Sequence, residues 1–345
     1  MKAFIVEGPG TAAIREVPTP EPEADELLIR VRYAGICGTD LAIWSGESSF
    51  VKDGRIRIPC RIGHEWSGVV ERVGSGVTDL RPGDPVVSDN VVSCGRCARC
   101  KAGDWENCQE GFSVGTINCW DGSFAQFMLM PRRHVYPLPR EADLENAALL
   151  EPASIAYGGV EKCHVGPEDT VLVIGTGAIG LAAVALARHR GAKTVILAGR
   201  TPSKLAAGER MGATQVVNVR EPGAVERIRA LTGGGASCVM ETSGAVEGAH
   251  LGIDAAAREG RLALIGFYER ELDGVKIDDI VAKELELKGV MGKVAYMRAV
   301  HGILCAGGLD LTPMISRRVA FEELPEVFAT AGADRNRIKI MAHMA

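Results

Sequence analysis

A run of roughly eighteen apolar residues, the least that spans a bilayer as a helix, occurs nowhere in this chain, so no membrane span is expected. Nor is there a basic stripe. Its 39 Lys and Arg stand against 44 Asp and Glu, a net charge of −5, which argues against nucleic acid as a partner. The opening MKAFIVEGPG has neither a long apolar stretch nor a small-residue cleavage site and does not read as a secretion leader. Internal repeats and low-complexity tracts are missing, and aromatics are scarce. The composition is ordinary for a globular chain and the length suffices for two domains, and ten cysteines without a secretion signal are expected to be reduced thiols in a cytoplasm. Glycine is abundant at 42 residues, which suits tight β turns and close backbone approach to a cofactor.

Four of the cysteines fall in one short segment, SCGRCARCKAGDWENC. Two residues separate Cys94 from Cys97, two separate Cys97 from Cys100, and seven separate Cys100 from Cys108. A compact loop with this spacing can wrap four thiolates tetrahedrally around one zinc. The competing reading is a pair of disulfides, which cysteines so close rarely form without strain. An all-sulfur site leaves no vacancy for substrate, so the expected zinc is structural.

Residues 1–150 read as β-rich. LLIRVRYAGI and EWSGVVERVG are β-branched runs broken by Gly, Pro and Asp, as in a small barrel. PRRHVYPLP at 131–139 reads as an extended connection. Near residue 153 the texture changes to alternating apolar strands and helices: TVLVIG, TVILAG, QVVNV, CVMETSG and RLALIG, with ELELKGVMG as a final strand. That alternation predicts a parallel, doubly wound sheet and an α/β fold.

The first of these strands runs into Gly175-Thr176-Gly177-Ala178-Ile179-Gly180, a GxGxxG segment that opens a helix. In that context the motif reads as a dinucleotide site. Gly175 permits the tight turn, Gly177 admits a pyrophosphate to the backbone, and Gly180 lets helix and strand pack closely. Ala178 and Ile179 lead into the helix, whose free N–H groups favour phosphate. Ser243 and Gly266, in CVMETSG and RLALIG, are further cofactor-binding candidates. The second strand ends Ala198-Gly199-Arg200-Thr201, without the acid that bonds the ribose of NAD. Gly199 is read as leaving space, Arg200 as a clamp on a 2′-phosphate, and Lys204 as a second cation for it. NADP is therefore favoured over NAD, the alternative being a solvated Arg200 and NAD bound without its carboxylate.

A second set of metal-ligand types is scattered: Cys37 in AGICGTD, His64 and Glu65 in IGHEWSG, and Glu151 in LLEPAS. Thiolate, imidazole and carboxylate together suit zinc, and fewer than four permanent ligands leave a position for substrate. Taken singly, each residue also has a structural reading.

GICGTD, GHEWSG, the four-cysteine loop, the EP dipeptide and GTGAIG, in that order along nearly the whole chain, resemble the zinc-dependent medium-chain dehydrogenase/reductase family, nearest its polyol, threonine and butanediol dehydrogenase branch. The resemblance implies a GroES-like catalytic domain from residues 1–152 and 293–345, a Rossmann domain at 153–292, and a cleft between them. It implies two zincs per chain, the catalytic one among Cys37, His64 and Glu65. Glu151 is then either a direct ligand or the holder of zinc-bound water. Thr39 matches the hydroxyl that passes on the substrate's proton, and Asp40 the carboxylate that orients the histidine. The implied reaction is oxidation of a secondary alcohol to a ketone by hydride transfer to the nicotinamide.

Two departures bear on substrate. Ala42 stands where several relatives carry a relay histidine, and Lys288-Gly289-Val290-Met291-Gly292-Lys293 has glycine where polyol relatives tend to have arginine. Lys293, Trp44 and Phe50 are the substrate-pocket candidates. The alternatives left open are a threonine- or vicinal-diol-type dehydrogenase, an NADPH-dependent ketone reductase and a non-catalytic nucleotide sensor. The strand near 285–291 would lie at a sheet edge and invite pairing, so a homodimer or homotetramer is expected.

Overall fold

The structure, a computed structural model, describes residues 1–344. Contacts divide the chain into two compact units, Met1–Glu151 with Ile315–Ala345, and Pro152–Met314.

The first unit is β-rich, as expected. Its main sheet runs Val135–Pro137, Pro85–Ser88, Glu65–Val73, Glu26–Ile36, Lys339–His343 and Ile315–Ala320 in spatial order, and Phe127–Pro131 also pairs with Glu26–Ile36. A smaller sheet joins Thr11–Glu16, Lys2–Gly8 and Cys60–Arg61. Leu27, Ile29, Val31, Phe4 and Phe124 are fully buried between them. The C-terminal part closes the same core, with the Phe328 ring 4.8 Å from that of Phe4. Each such side chain contributes about 1.5–3 kcal/mol through burial. The segment PRRHVYPLP differs from the expected plain connection. It makes a short 3-10 turn, Arg132–His134, and then a strand, Val135–Pro137, paired with Pro85–Ser88 at the sheet edge. Proline is tolerated there because an edge strand leaves one row of N–H positions unused.

The register of three strands matters most for chemistry. Glu26–Ile36 and Glu65–Val73 are antiparallel with Gly35 opposite Glu65. Lys339–His343 is antiparallel to the former with Ile340 opposite Ile36. One strand's end and two strands' beginnings therefore converge, bringing Cys37, His64–Glu65 and Lys339 together from three distant parts of the sequence. Gly35 is required here, because a Cβ would sit 2.3 Å from Glu65 Oε2.

The second unit is a six-stranded, all-parallel sheet ordered Gln215–Asn218, Thr194–Gly199, Thr170–Ile174, Ala236–Glu241, Ala256–Leu264 and Glu286–Gly289. That is the 3-2-1-4-5-6 order of a dinucleotide-binding fold. Val171–Val173 and Val195–Ala198 are wholly buried, as central parallel strands covered on both faces must be. The helices Ala178–His189 and Pro202–Arg210 fall where their apolar periodicity places them. The predicted last strand is present at the sheet edge.

The second domain crossing lies at 314/315 rather than 292/293. The helix Val294–Cys305 belongs to the second unit, where Tyr296 and Val290 pack so closely on Gly158 that a Cβ there would lie 2.7–2.8 Å from them. Burial of Val294, Tyr296, Met297 and Val300 holds the helix in that unit.

Candidate metal centres and dinucleotide site

Cys37 caps the N-terminus of the helix Gly38–Ser45, immediately after the strand Glu26–Ile36. Its Sγ, a His64 ring nitrogen and a Glu65 carboxylate oxygen all lie within 4.8 Å of one another. Asp40, fully buried, ties the two segments: its Oδ2 accepts from the Cys37 N–H at 2.8 Å and its Oδ1 from the Gly63 N–H at 3.2 Å. Asp40 Oδ1 is also 3.3 Å from His64 Nδ1, off hydrogen-bonding geometry, so that buried nitrogen has no partner. Burial disfavours charge on His64, but Asp40 and Cys37 outweigh it and hold its pKa well above the usual imidazole value. The anionic groups clustered around the His64 ring are what a cation would satisfy. Thiolate, imidazole and carboxylate at this separation fit zinc.

Glu65 is not a free ligand. Lys339 Nζ contacts both of its carboxylate oxygens, Oε1 at 2.6 Å, and donates to the Ile36 carbonyl at 3.2 Å. The pair is 3% and 1% exposed. Glu151 lies outside the tight set. Its Oε1 accepts from Asn90 Nδ2 at 2.7 Å. Burial, with His64 opposing and Glu65 adding, pushes the Glu151 carboxyl up to about 7. Thr39 is half-buried in the first turn of the Gly38–Ser45 helix. Trp44 and Phe50 pack against the core, Trp44 with its ring 6.4 Å from Phe328 and Phe50 beneath the Arg55 guanidinium. Lys293, in the second unit, caps the helix Val294–Cys305 with its Nζ over the Tyr296 ring.

The four-cysteine loop forms a second cluster. Cys97 Sγ is 3.5 Å from Cys100 Sγ and 4.0 Å from Cys108 Sγ, and Cys94 Sγ is 3.8 Å from Cys100 Sγ. None is in a disulfide. Backbone N–H groups of Cys94, Cys97 and Cys100 point at neighbouring sulfurs at 3.3–3.5 Å. Such bonds favour thiolate, and those from Cys100 and Gln109 bring Cys97 down to about 6. The donor set fits a closed zinc site. It is anchored by a buried network that the sequence did not reveal. His134 Nε2 accepts from the Ser93 N–H at 3.1 Å and meets Ser93 Oγ at 2.8 Å, while His134 Nδ1 lies 3.1 Å from Asp89.

In the second unit Gly175 has φ +109°, and a Cβ on Gly180 would sit 2.0 Å from the Gly175 carbonyl. A Cβ on Gly177 would meet nothing within 4 Å, which is the open approach a pyrophosphate needs. The helix Ala178–His189 starts there without a side-chain cap, leaving its N–H groups for a ligand. Gly199 corrects one expectation. The space above it is filled, since a Cβ would lie 2.3 Å from Thr176 Cγ2. Arg200 is exposed and Lys204 half-buried at the end of that strand and in the helix after it. Ser243 and Gly266 lie on adjacent loops, in backbone contact through Gly244. No helix among the described residues is long and apolar enough to cross a membrane.

A dinucleotide-type parallel sheet, a zinc-compatible Cys–His–Glu cluster and a separate four-cysteine loop define the class of zinc-binding dinucleotide oxidoreductases. Comparison agrees. Residues 23–140 match the alcohol dehydrogenase GroES-like domain and residues 178–301 the zinc-binding dehydrogenase domain. A sorbitol dehydrogenase of Bacillus subtilis is 30% identical over 99% of this chain and 97% of its own length. An L-threonine 3-dehydrogenase of Bacillus velezensis is 32% identical over 95% and 94%. A zinc-binding dehydrogenase structure from Sinorhizobium meliloti, bound to NADP, superposes with a TM-score of 0.89 at 32% identity, covering 99% of both chains. The chain belongs to the zinc-dependent medium-chain alcohol dehydrogenase family and is an enzyme of that oxidoreductase class.

Proposed function

We propose that this enzyme interconverts a secondary alcohol, of the polyol, sugar-alcohol or related hydroxy-compound class, and its ketone, with NADP as the preferred cofactor and two zincs per chain. The observation that carries the reading is the convergence of Cys37, His64 and Glu65 at two neighbouring strand ends, separate from the closed four-cysteine loop. When bound, zinc at the first cluster supplies Lewis-acid polarisation of an alcohol oxygen, and the nicotinamide supplies a hydride acceptor. Cys37 and His64 hold the metal. Asp40 fixes the backbone on both sides of them and faces the His64 ring. Lys339 neutralises Glu65, so the cluster binds a dication without surplus negative charge. Thr39 would relay the substrate's hydroxyl proton, its own hydroxyl proton passing to water as its oxygen accepts the incoming one, since Ala42 offers no onward acceptor. Glu151, held by Asn90, is either a fourth ligand or the acceptor for bound water.

Arg200 supports NADP, and supports equally the second reading, an NADPH-dependent ketone reductase. A homo-oligomer is supported by the edge strand Glu286–Gly289 with exposed Leu287 and Met291 near it. A monomer by light scattering would contradict that part. Reduced thiols are in keeping with a cytoplasmic setting. The test is nicotinamide absorbance with NADP and NAD in parallel across polyols, 3-hydroxy amino acids and vicinal diols, before and after zinc chelation. Chelator-sensitive reduction of NADP by one class is expected. Turnover that survives complete zinc removal would overturn the reading.

A further inference from the structure

The fully buried Glu241 has no part in the chemistry above. It ends the strand Ala236–Glu241 and pairs in register with Ile174, the residue before Gly175. In this strand order the sheet reverses direction of growth between these two strands, and ligands bind outside the carboxyl ends at that point. One carboxylate here takes four donors. Ser243 N–H donates at 2.8 Å, Gly244 N–H at 3.2 Å, Tyr268 O–H at 2.7 Å, and Ser243 Oγ–H also donates. Burying a carboxylate costs several kcal/mol unless its acceptor sites are filled. A serine or asparagine would close the turn with less desolvation, so the turn alone does not account for Glu241. What the carboxylate adds is reach, because it binds two loops at once.

Those loops touch backbone to backbone. Gly244 has φ +63°, and a Cβ on it would lie 2.3 Å from the Phe267 carbonyl; one on Gly266 would lie 2.3 Å from the Gly244 nitrogen. Thr242 completes the junction. Its Oγ1 donates to the Ile174 carbonyl at 2.8 Å, and a Cβ on Gly175 would come within 2.6 Å of it. The glycine loop, the 242–244 turn and the 265–268 loop are thus one assembly with Glu241 at its centre. The strand Thr194–Gly199, with Arg200 at its end, lies on the opposite side of Thr170–Ile174. A dinucleotide with its adenosine end toward Arg200 has its nicotinamide half over the Glu241 side.

We propose that Glu241 and Tyr268 are a positioning pair for the nicotinamide half of the cofactor, holding Ser243–Gly244 and Gly266–Phe267 as a preformed wall. The inference rests on the dinucleotide reading of this unit. Its test is equilibrium binding, independent of any alcohol. Tyr268→Phe and Glu241→Gln are titrated with NADPH and NADH by nicotinamide fluorescence, and by calorimetry with the corresponding fragments that lack nicotinamide, 2′-phospho-ADP-ribose and ADP-ribose. Zinc content and melting temperature serve as fold controls. Tyr268→Phe is expected to weaken the preferred reduced dinucleotide about tenfold, the loss of one hydrogen bond to a charged acceptor, and to shift its bound emission. Fragment affinity is expected to stay within twofold. Equal weakening of dinucleotide and fragment, or no change in either with Tyr268→Phe, would overturn the pairing. Wild-type chain that binds neither would overturn the dinucleotide reading and the pairing with it.

Discussion

Replacing Lys339 by methionine should cost more than almost any other single change in the first unit. The lysine is 3% exposed and the glutamate it neutralises is 1% exposed. Its ammonium meets both Glu65 oxygens and the Ile36 carbonyl, so no water replaces it when it goes. Removing one partner of such a buried pair costs about 3–5 kcal/mol, because the other charge is left uncompensated. Domains are stable by only about 5–15 kcal/mol, so about a fifth or more of the margin is at stake. The assay is urea denaturation of zinc-chelated protein, followed by a probe in the first unit. Lys339→Met should lose about 3–5 kcal/mol, and Lys339→Met with Glu65→Met should recover most of it, since neither charge remains. Zinc should return part of the loss in the single variant by supplying positive charge near Glu65. A loss below about 1 kcal/mol, or a double variant no better than the single, would refute the claim that this pair is a coupled, buried unit.

Arg200→Gln should raise KM for NADP about tenfold or more and leave KM for NAD nearly unchanged, read by steady-state kinetics with both cofactors. His134→Ala leaves the Ser93 N–H and hydroxyl without their acceptor beside Cys94, so zinc should leave the four-cysteine loop faster under chelator challenge, with the other zinc unaffected. For zinc-free protein, Glu151 binds its proton more tightly folded, at about 7, than at its ordinary 4.5. Stability should therefore fall as pH rises between those values and then level off, and Glu151→Gln should flatten that stretch in denaturation curves taken across pH.

Local signals were the ones that could be read from the sequence. The cysteine spacing and the glycine loop are contiguous, and the strand–helix alternation after residue 153 is a pattern of neighbours. Cys37, His64 and Glu65 were legible through their motifs, but their meeting depends on register between strands, which no spacing encodes. Lys339 lies 274 residues from Glu65, and Asn90 lies 61 from Glu151. Neither sits in a pattern that marks it, because a lysine in an apolar strand looks like an exposed edge residue until the pairing is known. Gly199 was misread for a related reason: whether a glycine is open or filled is settled by the side chain across from it, here Thr176. The boundary at 314/315 was missed because the helix Val294–Cys305 is amphipathic and would suit either unit; its packing partners decide.

The most direct test of the central claim is zinc per chain, measured by mass spectrometry on desalted wild type and on Cys37→Ala, with turnover recorded on the same samples. Two zincs in the wild type and one in an inactive, folded Cys37→Ala are predicted. A wild type that holds one zinc, or a Cys37→Ala variant that loses that metal and still turns over, would contradict the account.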